Sequence, residues 1–251
     1  MNKPLNWIHP PQKWQGCLRS RGGHDPRIAM LRTAPLITPN GKWLPFARPS
    51  YSQAWPSCTG HAWANALEAV LCYLHGKTIL GPGEHLDGDA PWRKGIVMFQ
   101  DGNQQSGLTL EQAFEACVEI GFLPAGSYLA RCGQRWADIS GALETSPVVW
   151  GRYLTPGWMP EHISPIGCVD HSYARDDQGA GHAGCIVAAI VQGNKKYLVD
   201  DGSWGPDYAF HGCTVFEDWL LQRDIIGGPY AVEFPKDLRD WQEWRQFVIR
   251  T

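Results

Sequence analysis

The chain has 251 residues, of which 43% are hydrophobic and 19% are charged, as in an ordinary globular protein. Its formal net charge is −3, so it lacks the basic excess typical of nucleic-acid binding, and no apolar stretch is long enough to span a membrane. These properties argue against a nucleic-acid partner and a membrane partner. The length is sufficient for one large domain or two small lobes with a core.

The first 50 residues are rich in Pro, Arg and Gly without a sustained period, which predicts an N-terminal extended arm. Pro and Trp interrupt the start where an export signal needs an apolar run, so we expect no export signal. The eight cysteines are then expected to be reduced thiols in a cytoplasmic protein, or a virion-associated one if phage-encoded. Neither CxxC nor HExxH occurs, so we expect no metal and no cofactor.

A long helix is predicted over residues 58–75, where apolar residues recur at helical spacing. Ser57 is placed to cap this helix and Gly76 to end it. Cys58 therefore stands in the first turn, where free N–H groups and the positive end of the helix dipole favour an anion. A thiolate is such an anion and is the reactive form of cysteine, so Cys58 is a candidate nucleophile.

A second helix is predicted to follow Thr109, which forms a capping box with Gln112, and to stop at Gly121. After about residue 140 the pattern changes, and segments 147–150, 184–191 and 196–199 are predicted to be strands. The tail from Asp237 has the spacing of a surface-packed helix.

Helices thus precede strands, which predicts an α+β fold with two lobes. We expect an arm at 1–50, a helical lobe at 51–138 and a β lobe with a C-terminal helix at 139–251, together one catalytic domain.

Three segments resemble, in order, the papain-like cysteine peptidase family in its bacterial and phage-type branch. They are PSCTGHAWANAL around Cys58, GHAGCIVAAIV around His182, and DDGSWG, which is similar to the family's Asn-Ser-Trp-Gly segment. The resemblance covers about residues 50 to 225. It implies a papain-like two-lobe fold, with a helical lobe built on a long central helix and an antiparallel β-barrel-like lobe.

The resemblance implies that Cys58 is the nucleophile and His182 the base. Gln53 would donate to the oxyanion, although it lies five residues before Cys58, one fewer than in the family, and Ser52 occupies the usual position. His61, on the helix of Cys58, is better interpreted as structural, because a base there leaves little room for a substrate carbonyl. His171 is a lesser competitor.

The residue that orients the imidazole departs from the family, because Gly202 stands where the family has Asn. Asp200 and Asp201 lie just before it, and either carboxylate can replace the Asn, as Asp does in other triads. We favour Asp201 slightly, since the adjacent glycine permits a bulge. By resemblance, Trp204 covers the bond between His182 and its orienting partner.

These residues imply a thiol hydrolase that cleaves peptide or isopeptide bonds of a peptide or protein substrate through an acyl-enzyme. Gly202 motivates an alternative, a catalytically weak or inactive structural or binding protein on the same fold, such as a phage virion or assembly component with virion or assembly partners. Acyl transfer or peptidoglycan cleavage by the same dyad is a third hypothesis.

Overall fold

The computed structural model describes residues 37–40 (backbone only), 42–44, 47, 53, 55–76, 79–81, 83–164, 167–175, 180–205, 208–209, 212–235 and 238–250. Most of the predicted arm, together with Ser52, lies outside the described residues. The candidate site residues from Gln53 to Trp204 lie within them.

The central element is helix α1, Cys58–His75, with the predicted bounds. It is buried on every side from Cys58 to Cys72, because its small and apolar residues allow close packing all round. Gly76 ends it in the left-handed region at φ 66°, as predicted. The prediction for Ser57 was wrong. Its backbone is not in the extended conformation of a side-chain cap, and its hydroxyl donates to Asp89 Oδ1 at 2.5 Å.

Two further helices accompany α1. Helix α2, Asp89–Phe99, follows strand β2, Glu84–Leu86, in a region whose Gly and Asp content had given no prediction. Helix α3, Leu110–Glu119, begins with the predicted capping box between Thr109 and Gln112. Helices α2 and α3 pack together and both contact α1, which forms the helical side of the molecule.

The main sheet is antiparallel, in the order β3-β8-β4-β5-β6-β7, and β1 also pairs with β5. The three predicted strands are present and are longer than predicted, as β4, β5 and β6. The elements of this part of the chain are β1 (Ile37–Asn40), β3 (Tyr128–Arg131), α4 (Trp136–Ala142), β4 (Val148–Tyr153), β5 (Gly181–Gln192), β6 (Lys195–Asp201), β7 (Cys213–Glu217), α5 (Asp218–Asp224) and β8 (Ile225–Glu233). Short 3-10 helices occupy Pro156–Trp158 and Pro160–His162.

Two predictions for the β lobe are corrected. Among the described residues the sheet is open, because its end strands β3 and β7 do not pair, so it is not a closed barrel. The tail is not an α-helix but a 3-10 helix, Glu243–Phe247, followed by strand β9, Val248–Arg250. Strand β9 pairs with β2, so the backbone ladder overrides the helical spacing and ties the tail to the helical side.

Helix α1 packs directly on strands β5 and β4, so Cys58 and His182 belong to elements that are in contact with each other. Among the described residues, no two of the seven cysteines form a disulfide with each other. No helix in those residues is long and apolar enough to cross a membrane.

Candidate active site

Cys58 opens α1 and is completely buried. Burial raises the pKa of its thiol to about 11, although hydrogen bonds from the backbone of Ala183 and Thr59 and the positive charge of Arg152 act in the opposite direction. The predicted effect of the helix start is therefore present but is outweighed by desolvation. In this conformation Cys58 is a neutral thiol.

His182 is the second residue of β5 and is also buried. Burial, then the charges of Arg152 and His61, hold the pKa of its imidazole well below the usual range, so the ring is neutral. The ring of Trp204 packs against it, with 4.5 Å between centroids. Nδ1 of His182 has no hydrogen-bond partner among the described residues. Because Ala183 bonds to the Cys58 thiol, the neighbouring His182 lies in the same buried region.

Gln53 is linked to this region through Ser203. The Ser203 hydroxyl donates to Gln53 Oε1 at 2.5 Å and lies 3.5 Å from His182 Nε2. The Gln53 side-chain nitrogen donates one hydrogen to the carbonyl of Trp55 at 3.0 Å. Since an amide nitrogen carries two hydrogens, a second donor remains. Gln53 and His182 are thus brought together by a residue that the sequence analysis matched to the family but gave no role.

Asp200 is occupied by other partners. Its Oδ1 accepts from Trp150 Nε1 at 2.9 Å, and its Oδ2 forms a fully buried ion pair with Arg152 at 2.8 Å. Burial raises the pKa of Asp200, while Arg152 and the hydrogen bond from Trp150 lower it. Gly184 leaves the room for this pair, because a β-carbon there would collide with the carboxylate of Asp200 and the guanidinium of Arg152.

Asp201 is equally buried and lies on the other face of β6. Its Oδ1 is 4.0 Å from the sulfur of Cys213, and its Oδ2 has no hydrogen-bond partner among the described residues. Burial raises the pKa of Asp201 well above its usual range, and the charges of Asp200 and Glu68 add to this. Neither aspartate therefore makes a hydrogen bond to His182 in the described part of the chain.

Arg152 is a buried charged residue beside the candidate site that the sequence analysis missed. It pairs across the sheet with His182, and its guanidinium lies 4.2 Å from the ring centroid of Trp158 and 5.2 Å from that of Trp150. Its charge lowers the pKa of both Cys58 and His182. The signal was an arginine inside the otherwise apolar segment PVVWGRYL, because a charge is rarely fully buried unless it is paired.

His61 has a partner of its own. Its Nε2 lies 3.1 Å from Asp89 Oδ1, the oxygen that also accepts from Ser57. Burial would raise the pKa of Asp89, but the hydrogen bonds and charge of His61 and the bond from Ser57 lower it. This agrees with the structural interpretation of His61. His171 lies elsewhere, exposed and edge-on to Trp219 at 5.7 Å.

No family model matches the chain, and no curated protein matches it in sequence. Solved structures do. Xylellain, a cysteine protease from Xylella fastidiosa, aligns at a TM-score of 0.60 and 12% identity over 93% of this chain and 92% of its own. Digestive procathepsin L 3 from the larval midgut of Tenebrio molitor aligns at a TM-score of 0.58 and 13% identity over 80% of this chain and 71% of its own.

The proform of the ragweed pollen allergen Amb a 11, also a cysteine protease, gives a TM-score of 0.58 and 16% identity over 93% of this chain and 75% of that one. The similar structures come from a bacterium, an insect and a plant, so they do not single out the bacterial and phage-type branch. At such low identities the likeness establishes the fold. The chain therefore has the papain-like fold of these cysteine proteases.

Proposed function

We propose that this protein is a thiol hydrolase that cleaves a peptide or isopeptide bond, with Cys58 as nucleophile and His182 as base. The observation that carries the proposal is the unoccupied Nδ1 of a neutral, buried His182, one residue from the backbone that bonds to the Cys58 thiol. A general base needs an imidazole nitrogen with a free lone pair near the proton that it removes.

In the proposed reaction, His182 Nδ1 takes the thiol proton and the sulfur attacks the substrate carbonyl. The oxyanion accepts hydrogen bonds from the backbone N–H of Cys58 and the remaining N–H of Gln53, donors that are typically worth about 3 kcal/mol each. The C–N bond breaks as His182 returns the proton to the leaving amine. Water, deprotonated by His182, then hydrolyses the thioester and releases the Cys58 thiol.

Burial is the only cause that raises the pKa of Cys58, so admitting substrate and water to the sulfur removes that cause and favours the thiolate. The charge of Arg152 and the three backbone hydrogen bonds at the thiol then act unopposed. This supports Cys58 as a thiol whose pKa falls when substrate and water reach the sulfur.

A second candidate function is a structural or binding protein without catalysis. Gly202 in place of the family's Asn and the complete burial of Cys58 favour it. The two candidates differ in the reactivity of one sulfur, because a structural Cys58 behaves as an inert core residue.

The test is alkylation by iodoacetamide near pH 6, with the label located by peptide mass spectrometry. We expect Cys58 to react faster than Cys117, an equally buried thiol whose pKa is raised by burial alone. His182→Ala should remove the advantage, while Cys72→Ser, a control on the same helix, should keep it. Labelling of Cys58 no faster than that of Cys117 would support the structural candidate instead.

A further inference from the structure

The ring nitrogen Nε2 of His182 faces a hydroxyl group rather than the amide that the family places there. Gly202 offers no side chain, and the nearest polar side-chain atom recorded at Nε2 is Ser203 Oγ at 3.5 Å. This distance is at the long end for a hydrogen bond, as is common in sites without bound substrate. Ser203 is itself buried, so the contact is shielded from water.

The direction of this contact follows from the donors available. A serine hydroxyl carries one hydrogen, and that of Ser203 is given to Gln53 Oε1 at 2.5 Å. Towards His182, Ser203 can therefore only accept, so the hydrogen of the neutral ring must be on Nε2. The lone pair is then on Nδ1, the nitrogen without a partner in the described part of the chain.

We propose that Ser203 is a positioning residue that holds His182 as its Nε2–H tautomer and couples it to Gln53, in place of the Asn that this chain lacks. The proposal rests on the proposed role of His182 as base. It makes one hydroxyl responsible for two parts of the site, because the bond that orients the base also fixes the carboxamide that would face the oxyanion.

The two aspartates do not compete for this role in the described structure. Both oxygens of Asp200 are taken, by Trp150 and by Arg152. Asp201 has a cross-strand neighbour, Cys213, at its Oδ1. The backbone of Ser203 adds to the coupling, since its carbonyl accepts from the N–H of Gln53 at 3.3 Å. Side chain and main chain of Ser203 thus both hold Gln53.

The test reads the tautomer directly, by two-bond nitrogen–proton correlation spectra of the protein labelled with nitrogen-15 histidine at pH 7.5. The signal of His182 is assigned from its loss in His182→Gln. We expect the Nε2–H form in the unaltered protein, a shift toward the Nδ1–H form in Ser203→Ala, and the Nε2–H form again in Ser203→Thr, which keeps a hydroxyl. The rate of Cys58 alkylation should fall about tenfold in Ser203→Ala, the usual worth of one hydrogen bond.

An Nε2–H tautomer that persists unchanged in Ser203→Ala would overturn the proposal, as would an Nδ1–H tautomer in the unaltered protein. The tautomer does not depend on any activity. If Cys58 failed to react, the proposed function would be contradicted. The proposed role of Ser203 would still be tested by the spectra.

Discussion

Two buried histidines flank the start of α1, and they are held in opposite ways. His61, three residues after Cys58, lies 3.1 Å from a carboxylate of Asp89 that also accepts from Ser57. His182, on strand β5, has no carboxylate partner in the described part of the chain, and its side chain lies 3.5 Å from the hydroxyl of Ser203. Both rings belong to the buried region around the helix start, but their surroundings suit different tasks.

The difference bears on the proposed role of His182 as the base. The contact at His61 engages Nε2 and lowers the pKa of Asp89 despite burial, which is the behaviour of a structural contact. His182 is instead kept neutral by burial and by Arg152, and its Nδ1 is unoccupied. A base must start neutral with a free lone pair, and the surroundings of His182 fit both conditions.

The largest expected effect comes from the same substitution at each histidine. His182→Leu should reduce the alkylation rate of Cys58, and any peptide cleavage, by about 10²–10⁴-fold, the usual contribution of a general base. His61→Leu should leave the rate within about tenfold but lower the free energy of unfolding by roughly 1–3 kcal/mol, because Asp89 loses a buried donor. Urea unfolding and alkylation rates check both, and a reversed pattern would assign the base to His61.

A second effect concerns the charge beside His182. Arg152→Met leaves the carboxylate of Asp200 buried without its counter-charge, so we expect a loss of about 3–5 kcal/mol of stability. The pair of exposed Arg93 and partly buried Asp87 is the control, and Arg93→Met should cost less than about 1 kcal/mol. The double variant Arg152→Met, Asp200→Asn should recover part of the loss in urea unfolding. Equal losses for Arg152→Met and Arg93→Met would contradict the proposed importance of the buried pair.

The elements that the sequence predicted best are those whose signal is local. Helix α1 and its end at Gly76 follow from spacing and a left-handed cap, and α3 follows from the box of Thr109 and Gln112. The tail could not be predicted in this way, because β9 forms only by pairing with β2, about 160 residues earlier. Helix α2 was missed because its Gly and Asp neighbours conceal a helix that tertiary packing stabilises.

The candidate site shows the same difference between local features, which the sequence predicts, and tertiary features, which it does not. The positions of Cys58 and His182 could be predicted because each lies at the start of a regular element, as its first or second residue, with a recognisable flank. The partner of the His182 imidazole could not be predicted. It depends on which face of β6 each aspartate side chain lies on and on the missing side chain at Gly202, which are features of the three-dimensional structure. Arg152, in β4, pairs with the carboxylate of Asp200, which is then not available to His182. The sequence does not indicate which carboxylate Arg152 pairs with.

The smallest expected effect separates the two adjacent aspartates. The pKa of Asp201 is raised well above its usual range by burial, so the folded protein holds a neutral carboxyl where the unfolded chain ionises above about pH 3.9. Stability is therefore lost as pH rises from about 4 towards the folded pKa. Asp201→Asn lacks this loss, and at pH 7 it should gain roughly 1–3 kcal/mol, since no buried carboxyl remains to be kept neutral.

The gain from Asp201→Asn should disappear near pH 3.5, where the carboxyl is neutral in both states, and urea unfolding at the two pH values measures it. Asp101→Asn is the matched control, because Asp101 is exposed at φ 49°, a conformation that Asn also adopts, and it should change stability at neither pH. A stability loss in Asp201→Asn at pH 7 would mean that the carboxylate of Asp201 is charged and holds a partner in solution. The same loss would return Asp201 to consideration as the group that orients His182, and His182 would then resemble His61 in having a carboxylate of its own.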